Sequence, residues 1–213
     1  MTNTKHESSG DNSETFCTAV EGIRRIASGL LREVAPIVKA VIDRGERAPV
    51  LIFDDETSEL IELDFRGTAS EVVARLALSP AADVAADSPT PPELAIRRKP
   101  GRPRLGVVAR EVTLLPRHWE WLNRQPGGAS VAMRKLVEEA RRVNETKDRV
   151  RHAQEVAYRF MSAMAGNEPG FEEALRCLFA ADRPRFDSLV EAWPIDVRDH
   201  ARKLAAEAFA IVA

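Results

Sequence analysis

The chain has 213 residues, a formal net charge of -2, 44% hydrophobic residues and 30% charged residues. This length allows two or three compact units, and the apolar content is sufficient for buried cores. The only two cysteines, Cys17 and Cys177, lie far apart and form no CxxC pair, which excludes a disulfide scaffold and a zinc finger.

The N-terminal stretch MTNTKHESSGDNSET is polar and contains acidic residues. It lacks the apolar segment of a signal peptide, and we expect a disordered tail over residues 1–15. No apolar run approaches the roughly 20 residues that a membrane-spanning helix needs. These features predict a cytoplasmic protein.

Residues 16–78 are expected to form a small mixed α/β domain. FCTAVEGIRRIASG has a short apolar–polar alternation around a turn at Glu21-Gly22, which predicts a β-hairpin. LLREVAPIVKAVIDRG has apolar residues at helical spacing and predicts a helix that ends at Gly45. Pro36 lies within this helix and predicts a kink or a later start.

The rest of this domain predicts a second hairpin and a second helix. APVLIFDD and ELIELDF are apolar runs separated by the turn-like DETS, which favours two paired strands. Thr68, with Glu71 three residues later, predicts a capping box at the start of a helix. Residues 79–108 then predict a linker, because SPAADVAADSPTPPELAI is rich in proline and small residues.

Charge is distributed unevenly along the chain. Residues 1–96 carry 9 Lys+Arg and 17 Asp+Glu, residues 97–142 carry 12 and 4, and residues 143–213 carry 10 and 12. The net charges of the three segments are therefore -8, +8 and -2. Such a basic middle segment indicates an anionic partner.

The basic segment opens with RRKPGRPRLG, residues 97–106. Glycine lets the backbone approach another surface closely and the prolines keep the chain extended, so Arg102 projects from a narrow ribbon. Such a ribbon fits the minor groove of A·T-rich DNA, where negative potential is concentrated. The stretch resembles an AT-hook, which implies DNA contacts by Arg97, Arg98, Lys99, Gly101, Arg102, Pro103 and Arg104. A solvated, charged linker is the alternative interpretation.

The next segment, EVTLLPRHWEWLNRQPGGASVAMRKLVEEARR, predicts a strand, a helix beginning at Pro116, a glycine-containing turn, and a second helix capped by Ser130. This order resembles a ribbon–helix–helix DNA-binding domain over residues 109–142. The resemblance implies a homodimer, in which strands of two chains pair into a ribbon that enters the major groove and the helices form the dimer core. A plain helical hairpin packed on the C-terminal bundle is the alternative.

The strand departs from the pattern of that family. Arg110, Val112 and Leu114 share the face expected to read bases, whereas Glu111 lies on the face expected to pack inward. Arg110 is the only good hydrogen-bonding reader on its face. Backbone N–H groups at the start of the second helix, at Ser130, are a further candidate for holding a phosphate.

Residues 143–213 are expected to form a helical bundle. Apolar stripes predict helices around residues 150–164, 171–178, 186–193 and 197–208. The expected fold class is therefore α+β, with a small N-terminal α/β unit, a basic linker, a ribbon–helix–helix-like segment and a C-terminal bundle. As a whole the chain, from GIRRIASG and VLIFDD to DRPRFDSLVEAWPIDVRDHA, resembles a family of uncharacterised bacterial proteins, which implies a shared architecture and no particular activity.

The sequence assembles no pattern for catalysis or metal binding. It contains no Walker loop, no GxSxG and no GxGxxG, and its histidines are scattered. The acidic residues from Asp54 to Asp64 flank the second predicted hairpin, where carboxylates commonly occupy turns and solvent faces. Trp119 completes an apolar stripe and is expected in the core, whereas Trp121 stays a candidate for base stacking. Both cysteines are expected to be buried, and no cofactor, metal or enzymatic activity is expected.

The sequence therefore predicts a dimeric bacterial DNA-binding regulator or nucleoid-associated factor that contacts A·T-rich DNA through its Gly-Arg-Pro stretch. The alternative is a non-enzymatic adaptor in which the acidic N-terminal part docks on the basic middle, since charges of -8 and +8 are complementary. No membrane partner is expected, and neither hypothesis identifies a small-molecule ligand.

Overall fold

A computed structural model of the protein describes residues 14–45, 48–78 and 110–212. The chain divides into two compact units. The larger unit combines Met1–Asp83 with Glu145–Ala213, and the smaller unit is Val84–Asn144. The fold class is α+β, as predicted, with one three-stranded antiparallel sheet and a majority of helix.

In chain order the described elements are β1 (Phe16–Glu21), β2 (Arg24–Leu30), α1 (Leu31–Asp43), β3 (Val50–Asp54), α2 (Ala69–Leu78), α3 (Pro116–Asn123), α4 (Gly128–Ala165), α5 (Phe171–Phe179), α6 (Arg183–Leu189) and α7 (Ile195–Val212). A short 3-10 turn, Val190–Ala192, lies between α6 and α7. Among these helices none combines the length and apolar character that crossing a bilayer requires.

The sheet has the order β2-β1-β3, and β1 is antiparallel to both neighbours. The predicted first hairpin is confirmed, because Glu21 pairs with Arg24 across a turn in which Gly22 has φ +60. A Cβ at Gly22 would lie only 3.1 Å from the Cβ of Ala48. Glycine is therefore favoured there by both its backbone angle and the close neighbour.

Both faces of the sheet are covered. Side chains alternate along a strand, so Ala19 and Ile52 pack with α1 and α2, whereas Val20 and Phe53 pack with the C-terminal helices. This double burial explains why β1 is almost continuously buried. The sequence predicts an α/β domain and a separate C-terminal helical bundle. In the structure the two share one core, because the sheet has a second apolar face that the C-terminal helices cover.

Helix α1 begins at Leu31 and ends near the predicted stop. Gly45 has φ +79 and donates its N–H to the carbonyl of Ile42 at 3.0 Å. Pro36 lies inside α1, and the helix neither ends there nor starts later, contrary to one of the predicted outcomes. The buried face of α1 includes Val34 and Val38 and packs on the sheet.

The predicted second hairpin is wrong beyond its first strand. VLIFD forms β3, but β3 pairs with β1, and ELIELDF contributes only an isolated bridge between Leu60 and Phe53. The carbonyl of Ile52 also accepts the N–H of Ile61 at 2.8 Å. The apolar alternation of ELIELDF is used instead to place partly buried side chains against the core, namely Ile61, Leu63 and Phe65.

The capping box of α2 is confirmed. The N–H of Thr68 donates to Glu71 Oε2 at 2.7 Å, and the N–H of Glu71 donates to Thr68 Oγ1 at 3.3 Å. Glu71 Oε2 also accepts the Thr68 hydroxyl at 3.0 Å, and the two hydrogen bonds that this carboxylate accepts from Thr68 lower the pKa of the Glu71 carboxyl. The cap orients α2 so that Val72 and Leu76 are buried against α1 and the sheet.

The helices predicted around 171–178, 186–193 and 197–208 are present as α5, as α6 with its 3-10 turn, and as α7. The helices predicted at 130–142 and 150–164 are instead one helix, α4, of 38 residues. The expected boundary at residue 143 therefore falls inside a helix. No glycine or proline interrupts residues 129–164, so nothing in that stretch stops helical hydrogen bonding.

Candidate nucleic-acid interface

The described part of the smaller unit is a helical hairpin made by α3 and the first part of α4. Pro116 is the first residue of α3, as predicted, and the carbonyl of Leu115 accepts the N–H groups of His118 and Trp119 at 2.8 and 3.3 Å. Proline suits this position because the N–H that it lacks would have no partner within the helix.

The turn between the two helices depends on two glycines. Gly127 and Gly128 have φ +85 and +75, a region that side chains strongly disfavour. A Cβ at Gly127 would also lie 3.1 Å from the side chain of Val131. The predicted turn is therefore confirmed, and it sets the angle at which α3 meets α4.

The hairpin encloses an open apolar groove of about 370 Å³. Its lining residues come from one position before α3, from α3 itself and from the first turns of α4: Leu114, His118, Trp121, Leu122, Met133, Leu136 and Val137. Only Leu122 is deeply buried, whereas Trp121, Leu136 and Val137 are 50%, 47% and 56% exposed. A large exposed apolar surface of this kind is typical of a binding surface.

The prediction that Trp119 lies in the core is wrong for the single chain, because Trp119 is 37% exposed. Trp121 lies outside the apolar stripe predicted for α3, yet it lines the groove together with Leu122. The stripe that was predicted to be buried begins at Leu115, but Leu115 is itself 50% exposed at the start of α3. The face of α3 that turns toward α4 is the one shared by His118, Trp121 and Leu122.

Cations dominate the outer surface of this hairpin. Residues 110–144 contain seven Lys+Arg and four Asp+Glu. The seven cationic side chains are all exposed: Arg110, Arg117, Arg124, Arg134, Lys135, Arg141 and Arg142. Within the described part of the hairpin only Arg141 forms an ion pair, with Glu138 at 3.5 Å.

In the larger unit, by contrast, most described cations form ion pairs. Among its described lysines and arginines, all except Arg25 and Lys147 form an ion pair with a carboxylate of the same unit. Positive charge is therefore neutralised internally in the larger unit and remains largely uncompensated on the described hairpin.

The structure brings together only part of the predicted site. Residues 97–104, which contain the AT-hook-like stretch, lie outside the described residues. Arg110 is described and exposed, six residues before α3 begins. Residues 110–115 form no strand in the single chain. The ribbon implied by the family resemblance needs a second chain, so the monomer does not test it.

The expected cap at Ser130 is wrong. Helix α4 begins two residues earlier, at Gly128, and the Ser130 hydroxyl accepts a hydrogen bond from the Arg134 guanidinium at 3.0 Å. Ser130 therefore lies inside the first turn, where it helps to hold Arg134. The free N–H groups of this helix start belong to the glycine turn and the residues just after it.

The cations of the hairpin include three pairs with the same spacing, which are not among the predicted site residues. Arg117 and Arg124, Arg134 and Arg141, and Lys135 and Arg142 are each seven residues apart. Seven residues are about two helical turns, so the members of each α4 pair share one face of that helix. This periodicity was readable in the sequence, because the helix predicted at 130–142 already contains both α4 pairs.

Other candidate groups have structural roles. Asp54 Oδ1 accepts the N–H groups of Glu56 and Thr57, both at 2.8 Å, and Asp64 pairs with Arg66. The bond to Arg66 holds the pKa of the Asp64 carboxyl well below its usual range. Within the described residues, no three His, Cys, Asp or Glu side chains are arranged to hold a metal ion.

Both cysteines are buried, as predicted. Burial, with a smaller contribution from the nearby Asp55 and Asp54, raises the pKa of the Cys17 thiol to about 12. Burial also raises the pKa of Cys177. Neither thiol therefore has the character of a nucleophile at neutral pH.

Comparison with known proteins gives one match. No curated protein and no solved structure matches the chain. Residues 16–205 match the model of a family described as an uncharacterized protein conserved in bacteria, DUF2239. That span covers the smaller unit and most of the larger unit, with every described helix and strand apart from the last residues of α7. The chain therefore belongs to this bacterial family.

Proposed function

We propose that this protein is a non-enzymatic DNA-binding protein, a dimeric regulator or nucleoid-associated factor. The observation that carries the proposal is the charge distribution. Exposed cations without ion pairs are concentrated on the described hairpin, which follows the basic stretch of residues 97–104. In the larger unit, nearly all described cations form ion pairs with carboxylates of the same unit. Uncompensated cations on one continuous segment favour binding to phosphates.

The two parts of the segment have different roles in this proposal. Arg102, between Gly101 and Pro103, enters a narrow A·T-rich minor groove, and the neighbouring cations of residues 97–104 contact flanking phosphates. Arg117 and Arg124 on the hairpin contact the backbone further along the duplex. Phosphate contacts position the protein, and the minor-groove contact supplies the preference for A·T pairs.

The homodimer is proposed from the apolar groove. A second copy, meeting the first through the same groove, would cover Trp121, Leu136 and Val137, which the single chain leaves about half exposed. The same contact would bring two copies of residues 110–115 together, which is what a paired ribbon needs. Two basic segments in one dimer double the number of phosphate contacts.

The alternative adaptor is less favoured by the charges. Glu21, Asp55 and Glu59, in the acidic N-terminal part, already pair with Arg24 and Arg44, with Lys203, and with Arg159. These carboxylates are used inside the larger unit and are not available for docking on the basic middle. The adaptor hypothesis keeps its support from the sequence, namely the complementary net charges.

The test is a mobility-shift titration of the full chain on A·T-rich and G·C-rich duplexes at two salt concentrations. If about five phosphates are neutralised, the slope of log affinity against log salt should be about -4.5. Arg102→Ala should weaken binding to the A·T-rich duplex preferentially. Arg117→Ala should weaken binding to both duplexes equally, and it should make the slope of log affinity against log salt less steep by about 1.

The matched control is Arg176→Ala, since Arg176 is exposed but pairs with Glu173 in the larger unit. It should bind DNA as the wild type does. Absence of duplex binding, or a flat salt dependence, would reject the proposal and leave the adaptor. Equal affinities of Arg102→Ala and wild type would remove the minor-groove contact alone. Deleting residues 1–96 is a poor test, because it removes Val20 and Phe53 from the core of the larger unit.

A further inference from the structure

A second cavity is lined only by residues of the larger unit, and none of them belongs to the proposed DNA-binding segment. Its volume is about 300 Å³, the lower end of the range for small-molecule sites. Three parts of the chain form its walls: the loop after β3 with Asp55 and Glu56, the later part of α4 with His152, Ala153 and Val156, and α7 with Lys203, Leu204 and Glu207.

The cavity has an apolar floor and a polar rim. Ala153, Val156 and Leu204 are 4%, 5% and 8% exposed, so the floor is continuous with the core. The rim consists of Asp55, Glu56, His152, Lys203 and Glu207. A concave site with an apolar floor and a few convergent polar groups is the usual form of a small-molecule site.

One rim carboxylate is fixed by a chain of hydrogen bonds. Asp55 Oδ1 accepts the hydroxyl of Thr18 at 2.7 Å, and Thr18 Oγ1 lies 3.0 Å from Ser28 Oγ. Asp55 Oδ2 accepts the ammonium of Lys203 at 2.9 Å. Thr18 is only 1% exposed, so the carboxylate is anchored from inside the protein and its charge is balanced by one cation.

The other two rim carboxylates are less engaged. Glu56 has no ion pair among the described residues, and Glu207 has a single long one, 3.7 Å from Arg149. With Asp55 balanced by Lys203, and Glu207 held only by the 3.7 Å pair with Arg149, the unpaired negative charge of the rim lies at Glu56. A cation is therefore the charge type that this rim favours.

His200 is not one of the lining residues, but it lies in the core close to two of them, Asp55 and Lys203. Its side chain is 2% exposed, and neither ring nitrogen has a hydrogen-bond partner among the described residues. His200, Lys203, Leu204 and Glu207 share one face of α7, since residues three and four apart are neighbours on a helix. Burial lowers the pKa of His200 to about 4, and Asp55 and Lys203 are close enough to influence it in opposite directions. A buried polar group without a hydrogen-bond partner is costly to folding and requires an explanation.

We propose that this cavity binds a small organic cation, a primary amine carried on an apolar body. The ammonium would lie between Glu56 and Glu207, and the apolar body would cover Ala153, Val156 and Leu204. No covalent step is involved. This binding does not depend on DNA, and it gives the larger unit a ligand-binding role that the sequence alone did not identify.

The experiment compares three probes that share one apolar body: phenethylamine, 2-phenylethanol and phenylacetate. Each is titrated into the full chain by isothermal calorimetry, with NMR to locate the perturbed residues. Phenethylamine should bind about tenfold more tightly than the alcohol, because a hydrogen bond to a charged group is worth more than a neutral one. Phenylacetate should bind most weakly. Equal binding of the three probes, or no binding of phenethylamine, would overturn the proposal.

Variants separate binding from general effects of charge. Glu56→Gln and Glu207→Gln should each weaken phenethylamine binding about tenfold and leave the alcohol unchanged. Glu172→Gln, an exposed carboxylate on α5, is the matched control and should have no effect. Lys203→Met should strengthen amine binding, because it releases Asp55, whereas a purely structural role of Lys203 predicts weaker binding of all three probes.

Discussion

Phe53 on β3 and Phe160 on α4 meet edge to face, with ring centroids 5.2 Å apart and an interplanar angle of 71°. Both side chains are almost completely buried, at 1% and 0% exposure. This contact joins the N-terminal sheet to the C-terminal helices, which lie far apart in the sequence. It is the clearest sign that the two segments form one folded unit.

The first prediction concerns that contact. Phe160→Ala should lower the free energy of unfolding of the larger unit by about 3–5 kcal/mol, because it leaves a cavity between the sheet and the helices. The change should accelerate amide hydrogen exchange in β1 and in α7 together, since buried residues of both belong to the same core cluster as Phe160. Urea unfolding and hydrogen exchange measure the two effects.

The control for this substitution is Phe179→Ala, because Phe179 is 55% exposed on α5 and its loss leaves no internal cavity. Phe179→Ala should lower the free energy of unfolding by less than about 1 kcal/mol. If Phe160→Ala accelerates exchange in α7 and leaves β1 protected, the sheet and the helices are separate folding units.

The second prediction uses the buried His200. Its pKa is lowered by burial to about 4 from an ordinary value of 6.5, so the unfolded chain binds a proton at a higher pH than the folded protein does. The stabilisation is therefore complete above pH 6.5 and is lost progressively as the pH falls toward 4. The total loss is about 3 kcal/mol, since one pKa unit corresponds to 1.36 kcal/mol.

Replacing His200 with leucine should remove this loss between pH 6.5 and 4.5, as measured by urea unfolding at several pH values. His152→Gln is the control, because His152 is exposed and its replacement should leave the pH profile as it is in the wild type. A wild-type stability that stays constant across this interval would show that His200 gains a partner in solution.

Much of the fold was predictable from local patterns. The hairpin at Gly22, the glycine stop of α1, the Thr68–Glu71 cap and the Pro116 start all depend on residues within a few positions of each other. These signals express backbone preferences that tertiary contacts do not overturn here. The division into helices after residue 166 was also predictable, because Gly166 and Pro194 interrupt the pattern.

What escaped prediction depends on contacts between distant segments. ELIELDF alternates like a strand, yet it pairs with β3 only at an isolated bridge, and its apolar side chains pack on the core instead. The second apolar face of the sheet could not be predicted from local patterns, because it is defined by the contact of Phe53 with Phe160, which is distant in the sequence. For the candidate interface, the sequence supplied the charge, and the structure supplied the groove and the exposure of the hairpin cations.

The third prediction tests the cap of α2. Thr68→Ala removes the hydroxyl that accepts the N–H of Glu71, and it should destabilise the larger unit by about 1 kcal/mol. Ser70→Ala, an exposed serine two residues later, should change stability by only a few tenths of that amount. Thermal unfolding of the three proteins gives the comparison. Equal unfolding temperatures of Thr68→Ala and wild type would show that the capping box contributes nothing.

The fourth prediction concerns thiol reactivity. Cys17 and Cys177 are 0% and 4% exposed, and burial raises the pKa of both thiols. Neither should react with Ellman's reagent in the native protein at pH 8, and both should react in concentrated urea. The ratio of native to denatured labelling rates measures local opening at β1 and α5. Rapid labelling of one thiol in the native protein would identify the element that opens.

The last prediction concerns the second copy that the apolar groove is proposed to bind. Leu136 is 47% exposed in the single chain and lines the groove, so a dimer would bury it. Leu136→Glu places a charge at this contact and should convert the dimer to a monomer in sedimentation experiments, because an unpaired charge is costly to bury. Thr146→Glu adds the same charge at an exposed position later in α4, and it should remain dimeric. DNA binding by the Leu136→Glu monomer should weaken and show a smaller salt slope, since each complex then neutralises fewer phosphates. A wild-type chain that sediments as a monomer at the concentrations used for DNA binding would refute the dimer. DNA binding by the single chain would then still be tested by Arg102→Ala.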